Sequence, residues 1–250
     1  MTEKKKSGKG KIIVIAAVVV AALIALWAEY PLLNIPVSRD ETEACSCFDE
    51  GHRYLAGEHF YFGRCSTDDH GGLDVLEWRV LRVKSDRLIL ISDRVIDCKA
   101  FDDGKGEVTW ETSSLRSWLN GEFYNSCFSD EEKSRILSVT NTNPDNEYFS
   151  VDGGSDTVDK VFCMSIEEAE KYFSNKKSSE NGVMVYADRA AKPTEYIREE
   201  IGAPLWWLRT PGMTYGKTAS YVDDKGFICD VGEIVGNKGF GVRPMIEISR

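Results

Sequence analysis

An unbroken apolar run, IIVIAAVVVAALIALWA, fills residues 12–28 and holds no charge and no polar side-chain atom except the Trp27 indole. About 17 to 20 such residues cross the hydrocarbon of a bilayer, so the run predicts one transmembrane helix. Valine and isoleucine dominate it without an amphipathic period, which argues against a helix lying in a soluble core. Lys11 at one end, and Trp27 with Tyr30 at the other, suit the two membrane interfaces. Beyond the run the pattern changes, and residues 29–56, with Pro31, Pro36 and an acidic tail, read as a linker.

From residue 57 onward apolar positions alternate. Residues 60–62 (FYF) predict a first strand. Residues 76–83 (LEWRVLRV) and 87–92 (RLILIS), joined at 84–86, predict a hairpin. Over 110–123 the spacing becomes helical, with Leu115, Trp118, Leu119 and Phe123 on one face. A cap lies among Thr112, Ser113 and Ser114, and Gly121 is expected to weaken the helix end. Ser129 with Glu132, and Ser165 with Glu168, are capping boxes that start two further helices, the second running to about Phe173. Residues 159–164 predict a short strand before that second box. Residues 141–156 and 175–201 are polar and rich in Gly, Pro, Ser and Asn, so they read as long surface loops. Residues 205–209, 219–222, 227–231 and 241–248 predict the closing strands, with a hairpin turn at 223–226 and an edge or bulge at Pro244. Strands at both ends with helices between them predict an α+β domain.

Charge sets the orientation. Five lysines against Glu3 precede the apolar run, and the next positive residue is Arg39, so residues 1–11 are expected to form a cytoplasmic tail and residues 57–250 an extracytoplasmic domain. A cleaved signal peptide has the same layout, but a cut after Ala28 would place bulky Leu26 at the −3 position, which favours an uncleaved anchor. The whole chain carries a formal net charge of −10; residues 1–11 contribute +4, so the remainder carries −14. Nucleic acid is therefore not an expected partner.

Seven cysteines, at 45, 47, 65, 98, 127, 163 and 229, form no CxxC, and three histidines show no HxxxH. The spacing predicts no metal site and implies no cofactor. Cys127, Cys163 and Cys229 read as small buried apolar residues. Cys98 and Cys229 fit a disulfide equally well. The oxygen-rich stretch 102–107 (DDGKGE) is the one place that suits calcium, without the spacing of an EF-hand loop. No GxSxG, phosphate loop or HExxH is present, so no catalytic residue is assigned.

The runs LEWRVL (76–81), VTWETSSLRSWLNGEFYNSCF (108–128), DKVFCMS (159–165), WWLRTPG (206–212) and GVRPM (241–245) occur in an order that resembles an uncharacterised bacterial family, domain of unknown function 6273. In its C-terminal half that family is similar to C-type-lectin-like domains, including the sulfatase-modifying branch. The shared outline is a tryptophan strand, a hairpin and a last strand carrying G-[VF]-R. The resemblance implies a C-type-lectin-like fold and, by itself, no function.

Four residues of these motifs are candidates for ligand contact: Trp206, Trp207, Arg209 and Arg243. Adjacent tryptophans on a strand face opposite sides, so either both are packing residues or one offers a flat stacking face. The arginines either pair internally or meet a ligand. The expected function is a membrane-anchored binding or interaction module for an extracellular protein, peptide or glycan. An enzyme using an unrecognised carboxylate or cysteine site, and a structural surface protein, are the alternatives.

Overall fold

A computed structural model describes residues 52–66, 73–104, 106–180 and 183–250. The predicted tail, the anchor at 12–28 and the linker up to residue 51 lie outside the described residues. Among the described residues no helix is long and apolar enough to cross a membrane. Tyr54, within the stretch read as linker, already belongs to the core, with its ring 5.3 Å from that of Phe60.

In chain order the strands are β1 (His59–Ser66), β2 (Leu73–Val83), β3 (Arg87–Ser92), β4 (Arg94–Val95) and β5 (Asp97–Cys98). A helical stretch precedes β6 (Val139–Asn141) and β7 (Thr157–Asp159). After the helix Ile166–Tyr172 come β8 (Ser178–Glu180), β9 (Val183–Val185), β10 (Lys192–Pro193) and the helix Glu195–Ile201. β11 (Trp206–Pro211), β12 (Thr218–Val222), β13 (Ile228–Ile234), β14 (Gly241–Val242) and β15 (Met245–Ser249) close the chain. The result is a sheet-rich α+β fold with few and short helices.

Two sheets organise it. The first is antiparallel, in the order β1-β2-β3-β15. The predicted hairpin is its centre: Val80 pairs with Leu90, and Val83 with Leu88. Alternation turns Phe60, Phe62, Trp78 and Val80 to one face, where Phe128 packs on Phe62 and Trp78. The Trp78 indole donates to the Phe62 carbonyl at 2.6 Å. The second sheet has the order β13-β12-β11-β14-β5 and contains a parallel pair, β11 with β14. The last predicted strand, 241–248, is two strands. Gly241–Val242 belongs to the second sheet and Met245–Ser249 to the first, and the chain crosses at Arg243-Pro244. Proline has no N–H to give a ladder, so it sits where the chain leaves one sheet for the other, and its carbonyl accepts from Ser92 N–H at 2.9 Å.

The helical stretch is longer than its sequence pattern predicts. A 3-10 turn at Trp110–Thr112 leads to Ser113, whose hydroxyl caps Ser114–Trp118 by accepting from Arg116 N–H. Gly121 does not end the helix. A π turn, Leu119–Phe123, carries it on to Tyr124–Cys127. That wider turn keeps both Leu119 and Phe123 in the core. Both predicted capping boxes are present, at Ser129/Glu132 and Ser165/Glu168. Residues 159–164 are not a regular strand: Phe162 makes one isolated bridge to Met245.

The stretch 175–201 departs most from its reading as loop. It holds the β8–β9 ribbon, β10 against β4, and a helix capped by the Thr194 hydroxyl accepting from Ile197 N–H. Ile197 is fully buried, and Val185, Arg189 and Ala191 are nearly so. One buried apolar position per turn is too faint a period to register in the sequence.

At the junction of these parts lies Asp159, whose side chain is fully buried. Its carboxylate accepts from Trp110 Nε1 (3.1 Å), Arg116 Nε (2.6 Å), Asn141 Nδ2 (3.0 Å) and Thr157 Oγ1 (2.7 Å). Asn120 Nδ2 approaches to 3.5 Å, and Asn120 Oδ1 accepts from Lys160 and Val161 N–H.

Cysteine chemistry differs from the expectation at Cys127, which is buried but bonded to Cys65. Cys98, Cys163 and Cys229 are free. Cys98 and Cys229 occupy opposite edge strands of the second sheet, four spacings or roughly 19 Å apart. A disulfide reaches about 7 Å between Cα atoms, so these two do not pair. Burial pushes the Cys163 thiol up to about 12, with the Asp159 charge adding to the effect and Arg209 opposing it.

Replacing Asp159 with Ala strands Arg116 and three polar partners, and should lower unfolding free energy by roughly 3–5 kcal/mol, read from denaturant melts. A thiol whose pKa rises on folding gives stability that is complete below its ordinary value of 9.0 and is lost as pH climbs toward 12. Alkaline melts should therefore show a smaller loss for Cys163→Ala than for the parent. Iodoacetamide at neutral pH should label Cys163 only after denaturation, while Cys65 and Cys127 should stay linked in a non-reduced peptide map.

Candidate functional site

All four motif residues singled out for ligand contact lie inside the fold. Trp206 and Trp207 do face opposite sides of β11, and both are fully buried. Trp206 meets Phe173 edge-on at 6.3 Å. Trp207 stacks on Phe240 at 4.3 Å and donates its indole N–H to the Lys99 carbonyl. At β11 the sheet is covered on both faces, which is why neither ring is left for stacking.

Arg209 donates to the carbonyls of Cys163 (2.8 Å) and Thr142 (3.1 Å) and pairs with Glu168, the same carboxylate that closes the Ser165 capping box. Arg243 lies 5.2 Å from the Trp206 ring and 5.4 Å from that of Phe173. It donates to the carbonyls of Ser92 (3.0 Å), Arg189 (3.1 Å) and Asp93 (3.5 Å). Burial, helped by the nearby Arg79 charge, weakens its hold on its proton, and Asp93 and Asp188 oppose that. Both guanidiniums serve as cross-links between strands and loops. None of the four presents a surface to a ligand in this conformation.

A concave surface lies elsewhere. A cavity of about 490 Å³, open to solvent, is lined by Glu107, Thr109, Glu111, Thr112, Asp152, Gly154, Ser155 and Tyr215. Three segments build it: the approach to the helical stretch, the far end of the 141–156 loop, and the turn between β11 and β12. Gly154 (φ 86°) and Gly216 (φ 63°) adopt backbone conformations that side chains rarely allow, and each sits so close to the 107–109 segment that a Cβ would strike Thr109 or Glu107. Val108 N–H donates to the Gly216 carbonyl at 3.1 Å.

The 141–156 loop is held at its base by Asn146. Its buried amide donates to the carbonyls of Pro211 and Asp230, both at 2.8 Å, and its backbone pairs with Val151. Asn143 Nδ2 donates to the Ser155 carbonyl at 2.6 Å, and Asp152 Oδ1 accepts from Gly154 N–H at 2.8 Å. One wall of the cavity is thus a fixed loop.

Three carboxylates, three aliphatic hydroxyls and a half-exposed phenol line the cavity. Such walls accept hydrogen bonds and attract cations, and the Tyr215 ring supplies a flat apolar face. Of the stretch considered for calcium, Asp102 turns inward. Its oxygens accept from Ser114 and Gly104 N–H, so it caps the helical stretch.

Sequence reasoning located the 141–156 loop and met Glu107 only as the end of an oxygen-rich stretch and Thr112 only as a possible cap. Glu111 stands inside the 108–128 motif and Glu107 just before it, neither belonging to the apolar pattern, and Tyr215 lies in a turn. Gly154 and Gly216, standing inside polar turns, were the available signal that two loops come close to another backbone.

A family model described as domain of unknown function (DUF6273) matches residues 85–250. No curated protein matches the chain, and neither does any solved structure. The matched stretch runs from the β2–β3 turn to the last residue, taking in Arg209, Arg243, Trp206, Trp207 and the whole cavity; the chain belongs to the DUF6273 family.

Proposed function

We propose that the chain is a membrane-anchored, extracytoplasmic binding module of a bacterial cell envelope. In this reading its C-type-lectin-like domain presents the Glu107–Glu111–Asp152–Tyr215 cleft to a ligand outside the cell. The observation that carries the binding role is the cleft itself: an open, acid-walled cavity formed largely by loops, on a framework that turns Trp206, Trp207, Arg209 and Arg243 inward. Loops held on a rigid scaffold are the usual seat of recognition.

The Cys65–Cys127 disulfide supports a location outside the cytoplasm, because oxidising compartments are where such bonds persist. The apolar run at 12–28 behind five lysines supports the anchor and its orientation. The lectin-like reading is supported by the tryptophan strand β11, the β12–β13 hairpin and the terminal strand that carries Arg243 across two sheets. The acidic lining favours a glycan, through its hydroxyls, or a basic peptide segment, through its cations. It disfavours nucleic acid.

The detergent-solubilised full-length chain should bind members of glycan, peptide or cell-wall arrays. Glu111→Gln and Tyr215→Ala should each weaken that binding at least about tenfold, or about 1.4 kcal/mol, at unchanged melting temperature. Silence on all three arrays at high concentration, or full binding by both variants, would overturn the reading. Topology has its own test. Protease added to intact cells should remove the domain, and survival of the domain until lysis would place it on the other side of the membrane.

A further inference from the structure

On the first sheet, away from the cleft, three side chains from three different segments converge. His59 opens β1, Glu77 lies in β2, and Asp93 follows the end of β3. His59 is paired with Arg79 in the ladder, so His59 and Glu77 project from the same face. His59 Nδ1 is 3.1 Å from Glu77 Oε1 and 3.7 Å from Asp93 Oδ1, and the three atoms all lie within 4.8 Å of one another.

We propose that His59, Glu77 and Asp93 form a binding site for one divalent first-row transition ion, of the kind of Zn²⁺ or Mn²⁺. Bonds of 2.0–2.2 Å to a tetrahedral ion place ligand atoms about 3.4 Å apart, so the observed separations need only small carboxylate rotations. One imidazole nitrogen with two carboxylate oxygens suits zinc, manganese or ferrous iron better than magnesium or calcium, which prefer oxygen alone.

Charge points the same way. Two carboxylates share this spot, and the cation facing both at ion-pair distance is a histidine, which is charged only when protonated. Arg79, their neighbour on the same face, is turned to Asp188 at 3.2 Å. A bound dication would neutralise the pair.

The site is also built on rigid parts. Asp93 N–H donates to the Glu77 carbonyl at 2.9 Å, and the Asp93 carbonyl accepts from the buried Arg243. The three side chains are only partly exposed, at 37, 28 and 20% for His59, Glu77 and Asp93. That leaves at least one coordination position facing solvent, where water or a ligand atom can bind.

The test uses the full-length chain in detergent, stripped with chelator and reloaded with Zn²⁺ or Co²⁺ alone. The wild type should retain one more equivalent of metal than His59→Gln or Asp93→Asn. The affinity lost should be at least the roughly 10–100-fold that removal of a mere supporting group costs. Equal metal content and affinity in all three proteins overturns the proposal. X-ray absorption of the zinc-loaded wild type should show nitrogen and oxygen neighbours with an imidazole pattern. Sulfur neighbours alone, which put the ion on cysteines, overturn it even where the variants fail to fold.

Discussion

A buried carboxylate must be surrounded by donors, and in this protein that requirement fixes the middle of the fold. Asp159 has no exposed surface, so its charge is tolerable only if its lone pairs are satisfied by the chain itself. The donors come from Trp110 and Arg116 of the helical stretch, Asn141 at the end of β6, and Thr157 in β7. β6 and β7 form a separate two-stranded ribbon, and Asn120 adds bonds to the Lys160–Val161 backbone just beyond it. The Asp159 carboxylate, with Asn120, therefore sets the distance between the helical stretch and the ribbon. The cavity follows from that placement. Its Glu107–Thr112 wall leads into the helical stretch, and its Asp152–Ser155 wall runs into β7.

Arg209 and Arg243 extend the same logic to the sheets. Arg209 ties β11 to the Ser165 cap and to Thr142, at the root of the cavity loop. Arg243 stands where the last strand crosses between sheets, and holds the end of β3 and the 183–190 stretch to it by three carbonyls. A guanidinium suits this task because it offers five donors in a rigid plane and stacks on aromatic rings while keeping its charge. The family motifs thus converge on two kinds of buried ion, one acidic and one basic. In this chain Asp159, Arg209 and Arg243 hold the fold together from inside.

How much of this the sequence disclosed depended on how local the physics is. The β2–β3 hairpin, the two capping boxes and the Asp223–Gly226 turn are contacts within a few residues, and all were legible. Pro244 announced an irregularity, but no local signal says that the strand changes sheets there. The helix at Glu195–Ile201 was hidden because it buries little beyond Ile197. Partners distant in sequence were invisible altogether. Cys65 and Cys127 are 62 residues apart, and His59, Glu77 and Asp93 match no linear motif because a ladder register, not a spacing, brings them together. Trp206 and Trp207 were correctly placed on opposite faces. What the sequence lacked was the second covering layer, Phe101 and Phe240 on one side and Phe173 on the other.

This division between interior and rim bears on what the cleft can become. Glu107, Glu111 and Tyr215 contribute no side-chain hydrogen bond to the network that holds the domain together, whereas the backbone beneath them is pinned by Asn146, Gly154 and Gly216. Side chains outside the network can be exchanged without leaving a buried group unsatisfied, and such exposed changes usually alter stability by less than about 0.5 kcal/mol. A scaffold of this kind keeps its cavity in place while its lining is free to differ.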